Sequence, residues 1–358
     1  MSRPARAKRL DVLVIGAGQA GLAMGRELAS SGRTFLLVDG ARSVGDSWRA
    51  RWDSLRLFTP AKYSALPGIP FPAAPDALPG KDDVADYLGA CATALSLPVA
   101  LDEPVRDLRA VGAHDFIATT DYARYRARQV VVATGGFQAP RVPVFSGLLD
   151  ASVTQLHSSE YRGPSALPDG PVTVVGAGNS GVQIAAELAL ARPVTLASGQ
   201  ALMRLPARMA GRSIFHWLDV TGAMNVTVGS FIGRRASRQE LLIGQSPRDV
   251  ARAHGVRLTS RIVRVEGGAL RAADGALHAA RTVIWATGFG PSYNWLRIPV
   301  FDRAGRPRHV RGVTAVPGLA FLGLPWQHTR GSALLGWVGR DAAYLARWIE
   351  SGASGVLA

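Results

Sequence analysis

Two six-residue runs, Gly16-Ala17-Gly18-Gln19-Ala20-Gly21 and Gly176-Ala177-Gly178-Asn179-Ser180-Gly181, share one spacing of three glycines. In such a run the first glycine permits a backbone angle that other residues resist. The second lets a pyrophosphate approach the chain, and the third lets a helix pack close to a strand. A helix opening behind the turn points about half a unit of positive charge at the phosphates. The chemistry these residues predict is the binding of two dinucleotides.

The flanking residues separate the two sites. Asp39 stands 18 positions after Gly21, close to the interval of about 20 at which a carboxylate meets a ribose hydroxyl pair. Ser198 occupies the corresponding place in the second copy. A carboxylate repels a 2′-phosphate and its absence tolerates one, so the reading assigns FAD to the first turn and a nicotinamide cofactor to the second. Arg204 or Arg208 is the candidate phosphate ligand. NADPH is favoured, and NADH also fits a neutral serine.

Each turn needs a strand before it and a helix after it. Asp11–Ile15 is a short apolar run, and Leu22–Ser30 carries helical spacing as far as Gly32. Phe35–Val38 reads as the next strand, closed by Asp39. The unit returns with a strand at Val172–Val175, a helix over Val182–Leu190 and a strand at Val194–Ala197. The copies start at Gly16 and Gly176, 160 positions apart, a duplicated nucleotide-binding design and not a short-period solenoid. Between them lie a proline-rich loop (60–79), a helix over Asp82–Leu95 and strands near Phe116–Thr120 and Val130–Ala133.

Two strands end alike, in Ala133-Thr134-Gly135 and Ala286-Thr287-Gly288. Thr134, Gly135, Thr287 and Gly288 are therefore candidate cofactor contacts. Leu319–Leu324 reads as a further buried strand and Ser332–Ile349 as a closing helix. The expected fold class is α/β, with two Rossmann-like dinucleotide-binding domains in a glutathione-reductase-like arrangement. The expected parts are residues 1–164 for the FAD-binding domain, 165–285 for the NADPH-binding domain and 286–358 for the return of the first.

The 358 residues, 47% of them hydrophobic, are enough for two domains. The first residues imitate the charged and apolar parts of a secretory signal, but Asp11 and the closely spaced glycines favour a strand and turn, so a cytoplasmic protein is expected. No uninterrupted apolar run approaches the 18 or so residues of a membrane span. The net charge of +15 comes almost entirely from arginines scattered along the chain, so nucleic acid is not expected as a partner. A single cysteine, Cys91, cannot supply a redox pair, and no metal cluster is expected.

Other residues could line the cofactors. Gly45-Asp46-Ser47-Trp48 is placed to set an indole, Trp48, along a flavin. Trp52–Pro60 alternates enough for a short edge strand, with Thr59 able to donate to a flavin or a bound oxygen species. Phe145-Ser146-Gly147 and His157-Ser158-Ser159-Glu160-Tyr161 lie where a linker must pass between cofactors, which singles out His157 and Tyr161. Near the end, Gln327 and His328 join a buried strand to the last helix, whose start would face the flavin pyrimidine.

Taken in order, GAGQAG, GDSW, LRLFTP, ATGGF, FSG with HSSEY, GAGNSG and the final ATGF resemble the class B flavin-containing monooxygenases, including indole-pyruvate-type relatives, over nearly the whole chain. Phe145, Gly147, His157 and Tyr161 fit that family's identifying linker, and Asn179 its second turn. The chain departs from the pattern in having nine residues between Gly147 and His157 where the family has three, and Asp46 where it has glycine. Thr59 stands where the flavin-facing asparagine is expected, and Tyr161 where Baeyer-Villiger members carry tryptophan.

The resemblance implies hydride transfer from NADPH to FAD, reaction with O2 and oxygenation of a small organic substrate by a C4a-hydroperoxyflavin. The alternative is an NAD(P)H-dependent flavin reductase or oxidase that passes electrons to a small acceptor or a partner without oxygen insertion.

Overall fold

The computed structural model describes residues 7–112, 115–199, 202–239 and 241–352. The first unit is built on β1 (Lys8–Ile15), β2 (Phe35–Val38), β3 (Val99–Ala100), β4 (Asp107–Val111), β5 (Asp115–Thr119) and β6 (Arg124–Val132). Val12, Leu13 and Val14 are all fully buried, on both faces of β1, because a parallel sheet is covered by other elements on either side. The strand order is β3-β2-β1-β6-β5-β4. The first half of β6 pairs antiparallel with β5, and its second half, from Val130 to Val132, pairs parallel with a strand that arrives from residues 319–321.

The second unit is a five-stranded parallel sheet of β7 (Thr154–His157), β8 (Val172–Val175), β9 (Val194–Ala197), β10 (Arg257–Thr259) and β11 (Thr282–Trp285), in the order β10-β9-β8-β11-β7. The strand returning to the first sheet is β12 (Leu319–Phe321). β7, which precedes the boundary expected at residue 164, pairs with β11 and covers an edge that would otherwise leave backbone groups unpaired. The two crossings between units run side by side, Ala139–Pro140 antiparallel to Phe289–Gly290.

The helices behind the two turns are α1 (Gln19–Ala29) and α3 (Asn179–Leu188), with α2 (Lys81–Ala94) between them in the chain and α4 (Val338–Ser351) last. Leu22, Met24 and Leu28 of α1 share a buried core with Leu345, Trp348 and Ile349 of α4. Burying such side chains stabilises by about 1.5–3 kcal/mol each, which fastens the chain's last helix to its first.

Two expected elements take another form. The closing helix does not run from Ser332. Residues Arg330–Ala333 make one tight turn, Leu334 is extended and α4 starts at Val338. A side chain on Gly336 would meet the Tyr63 carbonyl oxygen at 2.3 Å, so this stretch is shaped by packing against the 60s loop. Trp52–Pro60 forms no strand, only an isolated bridge between Arg56 and Gly80. Among the described residues no helix is long and apolar enough to cross a membrane.

Candidate functional site

The carboxyl ends of β1, β2, β6 and β12 meet at one edge of the first sheet, where ligands of open α/β sheets bind. Gly16 has φ +108°, and a Cβ there would lie 2.7 Å from the Ala133 carbonyl oxygen. A Cβ on Gly21 would come within 1.8 Å of the Gly16 oxygen, whereas one on Gly18 would meet no atom within 4 Å. Gly18 therefore leaves open space at the start of α1, whose first turn has no side-chain cap. Asp39 accepts from the Ala17 N–H at 2.6 Å and the Ala41 N–H at 2.8 Å, so its carboxylate is held against the glycine turn. Gln19 donates to the Ala333 carbonyl at 2.7 Å, tying the turn to the return segment.

Around this edge, Thr134 and Gly135 are fixed by a residue that has no sequence signal, Gln138. Its amide donates to the Thr134 hydroxyl at 2.7 Å and the Gly135 carbonyl at 2.8 Å, while its carbonyl accepts from the Ser292 N–H at 2.7 Å. Gln138 thus joins the first strand-ending turn to the segment that follows the second. The phenol of buried Tyr293 is pushed up to about 12, chiefly by burial. Trp48, on a one-turn helix (Asp46–Arg49), packs against the cores of both units. Asp46 accepts from the Ser43 N–H at 2.9 Å and the Ser43 hydroxyl, which lowers its pKa. The carboxylate that replaces the family's glycine therefore caps its own turn.

The second edge repeats the first. Gly176 has φ +109° and a Cβ there would lie 2.3 Å from the Ala286 oxygen, while one on Gly181 would lie 1.9 Å from the Gly176 oxygen. Gly178 precedes α3, again without a side-chain cap, and Ser180 is half-buried in its first turn. Asn179 is engaged through its side chain. Its amide donates to the Leu241 carbonyl and its oxygen accepts from the Ile243 N–H, each at 3.0 Å. Both ends of the carboxamide are engaged by the strand 241–243, which Asn179 pins beside the turn. A cleft of about 290 Å³ opens here between the units, lined among others by Arg56, Phe58, Asn179, Arg208 and Ile243.

Neither arginine chosen from sequence stands free at this edge. Arg204 donates to the Gly244 carbonyl at 2.9 Å and pairs with Asp249 at 2.8 Å. Arg208 donates to the Gly211 carbonyl. Ser198 closes β9, and its N–H donates to the Thr259 carbonyl at 3.1 Å.

The three residues expected to act chemically are all buried. The Nε2 of His157 faces the Gly288 carbonyl at 3.0 Å, which can only accept, so the proton sits on Nε2 and Nδ1 accepts from Ser159. The ring stacks edge-on against Phe289, and burial holds its pKa below the usual value. Gly288 also accepts from the Arg141 N–H at 3.0 Å, and the Thr287 hydroxyl donates to the Arg141 carbonyl. His157, Thr287 and Gly288 thus clamp the crossing between units. Tyr161 donates to Glu187 on α3 at 2.9 Å, and burial raises its phenol far above its ordinary pKa. Thr59 lies in the loop beside Phe58, which stacks on Phe215 at 6.0 Å, and its carbonyl accepts from the Ser64 hydroxyl at 3.2 Å.

On the return loop, Gln327 is 2% exposed. Its oxygen accepts from the Leu324 N–H at 3.2 Å, and its Nε2 has no partner among the described residues. His328 donates its N–H to Ser332 and accepts from Val228, and burial lowers the pKa of its ring.

Residues 13–204 match the family model described as pyridine nucleotide-disulphide oxidoreductase. The chain belongs to that family. An uncharacterized CzcO-like oxidoreductase of Geobacillus kaustophilus strain HTA426 is 45% identical over 338 residues, 94% of this chain and 97% of that protein. The indole-3-pyruvate monooxygenase YUCCA1 of Oryza sativa subsp. japonica is 28% identical over 83% of this chain and 82% of its own. A solved flavin-containing monooxygenase from Stenotrophomonas maltophilia superposes with a TM-score of 0.80 at 29% identity, covering 96% of this chain and 99% of that one.

The chain is therefore an oxidoreductase with the two-dinucleotide architecture, and the resemblance to flavin monooxygenases extends from the ordered motifs to the whole fold. An internal cysteine pair is excluded. Cys91 is the chain's one cysteine and is fully buried on α2, where burial raises its thiol pKa.

Proposed function

We propose that this protein is a monooxygenase that binds FAD at the first edge and NADPH at the second, and that oxygenates a small organic substrate with O2. The observation that carries the reading is the pair of glycine turns with matching backbone geometry and different neighbours, Asp39 at one and Ser198 at the other, in a chain aligned nearly end to end with a flavin-containing monooxygenase. The residues present fit the cofactors. Gly18 leaves room at an uncapped helix start, Asp39 offers a carboxylate to a ribose, and the Gln327 amide is a buried donor without a partner among the described residues.

When bound, the flavin supplies electron transfer from the nicotinamide to O2, for which no side chain has the chemistry. The chain's part is alignment and exclusion. The backbone N–H groups at the starts of α1 and α3 hold the two pyrophosphates. His157 and Gln138 fix the crossings, and with them the orientation of one nucleotide toward the other. Tyr161 braces α3 through Glu187. Phe58, Tyr63, Phe215 and Trp337 form an aromatic wall between the 60s loop, the 214–220 helix and the return segment, which keeps water from the reacting atoms.

Anaerobic reduction by NADPH followed by mixing with oxygen tests the reading. A monooxygenase reduces its flavin with NADPH and, given a substrate, incorporates oxygen with little peroxide release. Stoichiometric peroxide whatever amine, thioether or 2-oxo acid is offered assigns the protein instead as an oxidase.

A further inference from the structure

The two edges are built alike beyond their glycines. In the first unit the N–H of Asp39 donates to the last residue of the neighbouring strand, Ala100, at 2.9 Å. In the second the N–H of Ser198 donates to Thr259 in the same way, at 3.1 Å. Two residues past that neighbouring strand the first unit carries Asp102, and the second carries Arg261. The Cγ, Cδ and Cβ of Arg261 lie 3.7, 3.8 and 4.0 Å from where a Cβ on Gly199 would stand. Its stem therefore runs alongside the residue that follows Ser198. Arg261 is exposed, and none of the ion pairs or side-chain hydrogen bonds among the described residues involves its guanidinium. The acid on the neighbouring turn, Asp274, accepts from the Ala276 N–H and closes its own turn.

The end of the second strand of such a unit is where an adenosine ribose is met, by a carboxylate for a free hydroxyl or by an arginine for a phosphate. Given the placement of the nicotinamide nucleotide proposed above, on which this inference rests, we infer that Arg261 is the residue that binds the 2′-phosphate and sets the preference for NADPH over NADH. Arg204 and Arg208, nearer Ser198 in sequence, are held by carbonyls and by Asp249. A guanidinium without a protein partner meets a phosphate with two charge-assisted hydrogen bonds and gives up no existing contact.

Equilibrium binding to the flavin-loaded protein separates the possibilities, using adenosine 2′,5′-bisphosphate and 5′-AMP as probes with wild type, Arg261→Ala, Arg261→Glu, Arg261→Lys and Arg204→Ala. Wild type is expected to bind the bisphosphate more tightly than 5′-AMP. Arg261→Ala should weaken the bisphosphate by about 10- to 100-fold and leave 5′-AMP within about twofold. Arg261→Glu should weaken the bisphosphate further, and Arg261→Lys should restore part of the difference. Arg204→Ala should change neither probe by more than about threefold.

Equal loss of both probes in Arg261→Ala, or loss of the bisphosphate in Arg204→Ala alone, overturns the assignment of Arg261. Wild type binding both probes equally overturns it too while leaving the nucleotide site in place. Wild type binding neither probe removes the site itself, and with it the reading on which Arg261 depends.

Discussion

The two nucleotide edges share a backbone and differ in charge. In each, a strand runs into a glycine with φ near +109°, a third glycine sits under 2 Å from the first one's carbonyl as measured from its missing Cβ, and an alanine from the next strand closes the turn. What lies around those backbones is opposite in sign. The first edge has Asp39 bonded to the turn, with Asp102 and Glu103 following β3. The second has Ser198 and Arg261. The backbone decides that a dinucleotide binds, and the side chains at the ends of neighbouring strands decide which one. Specificity in this fold can therefore change without disturbing the turn.

The largest effect that tests this comparison comes from the third glycines. Gly21→Ala and Gly181→Ala each force a methyl onto a backbone oxygen that cannot move aside, at an expected cost of more than about 2 kcal/mol. Their consequences should differ by unit. The Gly21 variant is expected to purify without flavin, and the Gly181 variant to keep flavin while losing reduction by NADPH. Loss of flavin from both would mean that the edges are not independent sites.

Next comes Asp39→Ser, which gives the first edge the residue of the second. It removes the acceptor of the Ala17 N–H and the ribose carboxylate together. FAD affinity should fall by about 10- to 100-fold, with the dissociation constant for NADPH within about twofold of wild type. Equilibrium dialysis of the flavin measures the first quantity. An unchanged value would place the flavin elsewhere.

Tyr161→Phe should cost about 1–2 kcal/mol in stability by leaving Glu187 without its donor. The pH dependence of flavin reduction should stay unaltered, because burial keeps the phenol protonated throughout the neutral range. A shifted pH profile would return Tyr161 to the chemistry.

The smallest effect is a pH slope. Burial is the main cause that lowers the pKa of His157, His309 and His328 in the folded protein. The unfolded chain thus takes up protons first, near pH 6.5. Their contribution to stability is complete above that pH and is lost as pH falls from it through the lower folded values. The difference in Tm between wild type and His157→Gln should therefore shrink between pH 7.5 and pH 5. A constant difference would mean that His157 does not contribute.

The parts of this arrangement that were legible in the sequence are those whose cause is local. Gly16, Gly18 and Gly21 announce a turn because φ and close packing act within six residues, and Phe35–Val38, Val172–Val175 and Val194–Ala197 read as strands with their observed limits. The start of α4 was not legible. Ser332–Trp337 has helical composition, and only contact with Tyr63, far away in the chain, sets the break. The sequence singles out His157 and Tyr161 in the linker, and the fold holds their rings at Gly288 and Glu187. Gln138 and Glu187 carry no motif at all, and become visible only through the partners they bridge.

By itself, then, the sequence determined that two strand-turn-helix units exist, that one ends its second strand in a carboxylate and the other in a hydroxyl, and that a lone cysteine precludes dithiol chemistry. Only the tertiary structure decided which side chains remain available. A guanidinium takes whichever carbonyl or carboxylate the fold brings within 3 Å. For Arg204 that is Asp249, from a helix start distant in sequence, whereas Arg261, brought beside Ser198 by the pairing of β9 with β10, is left facing solvent.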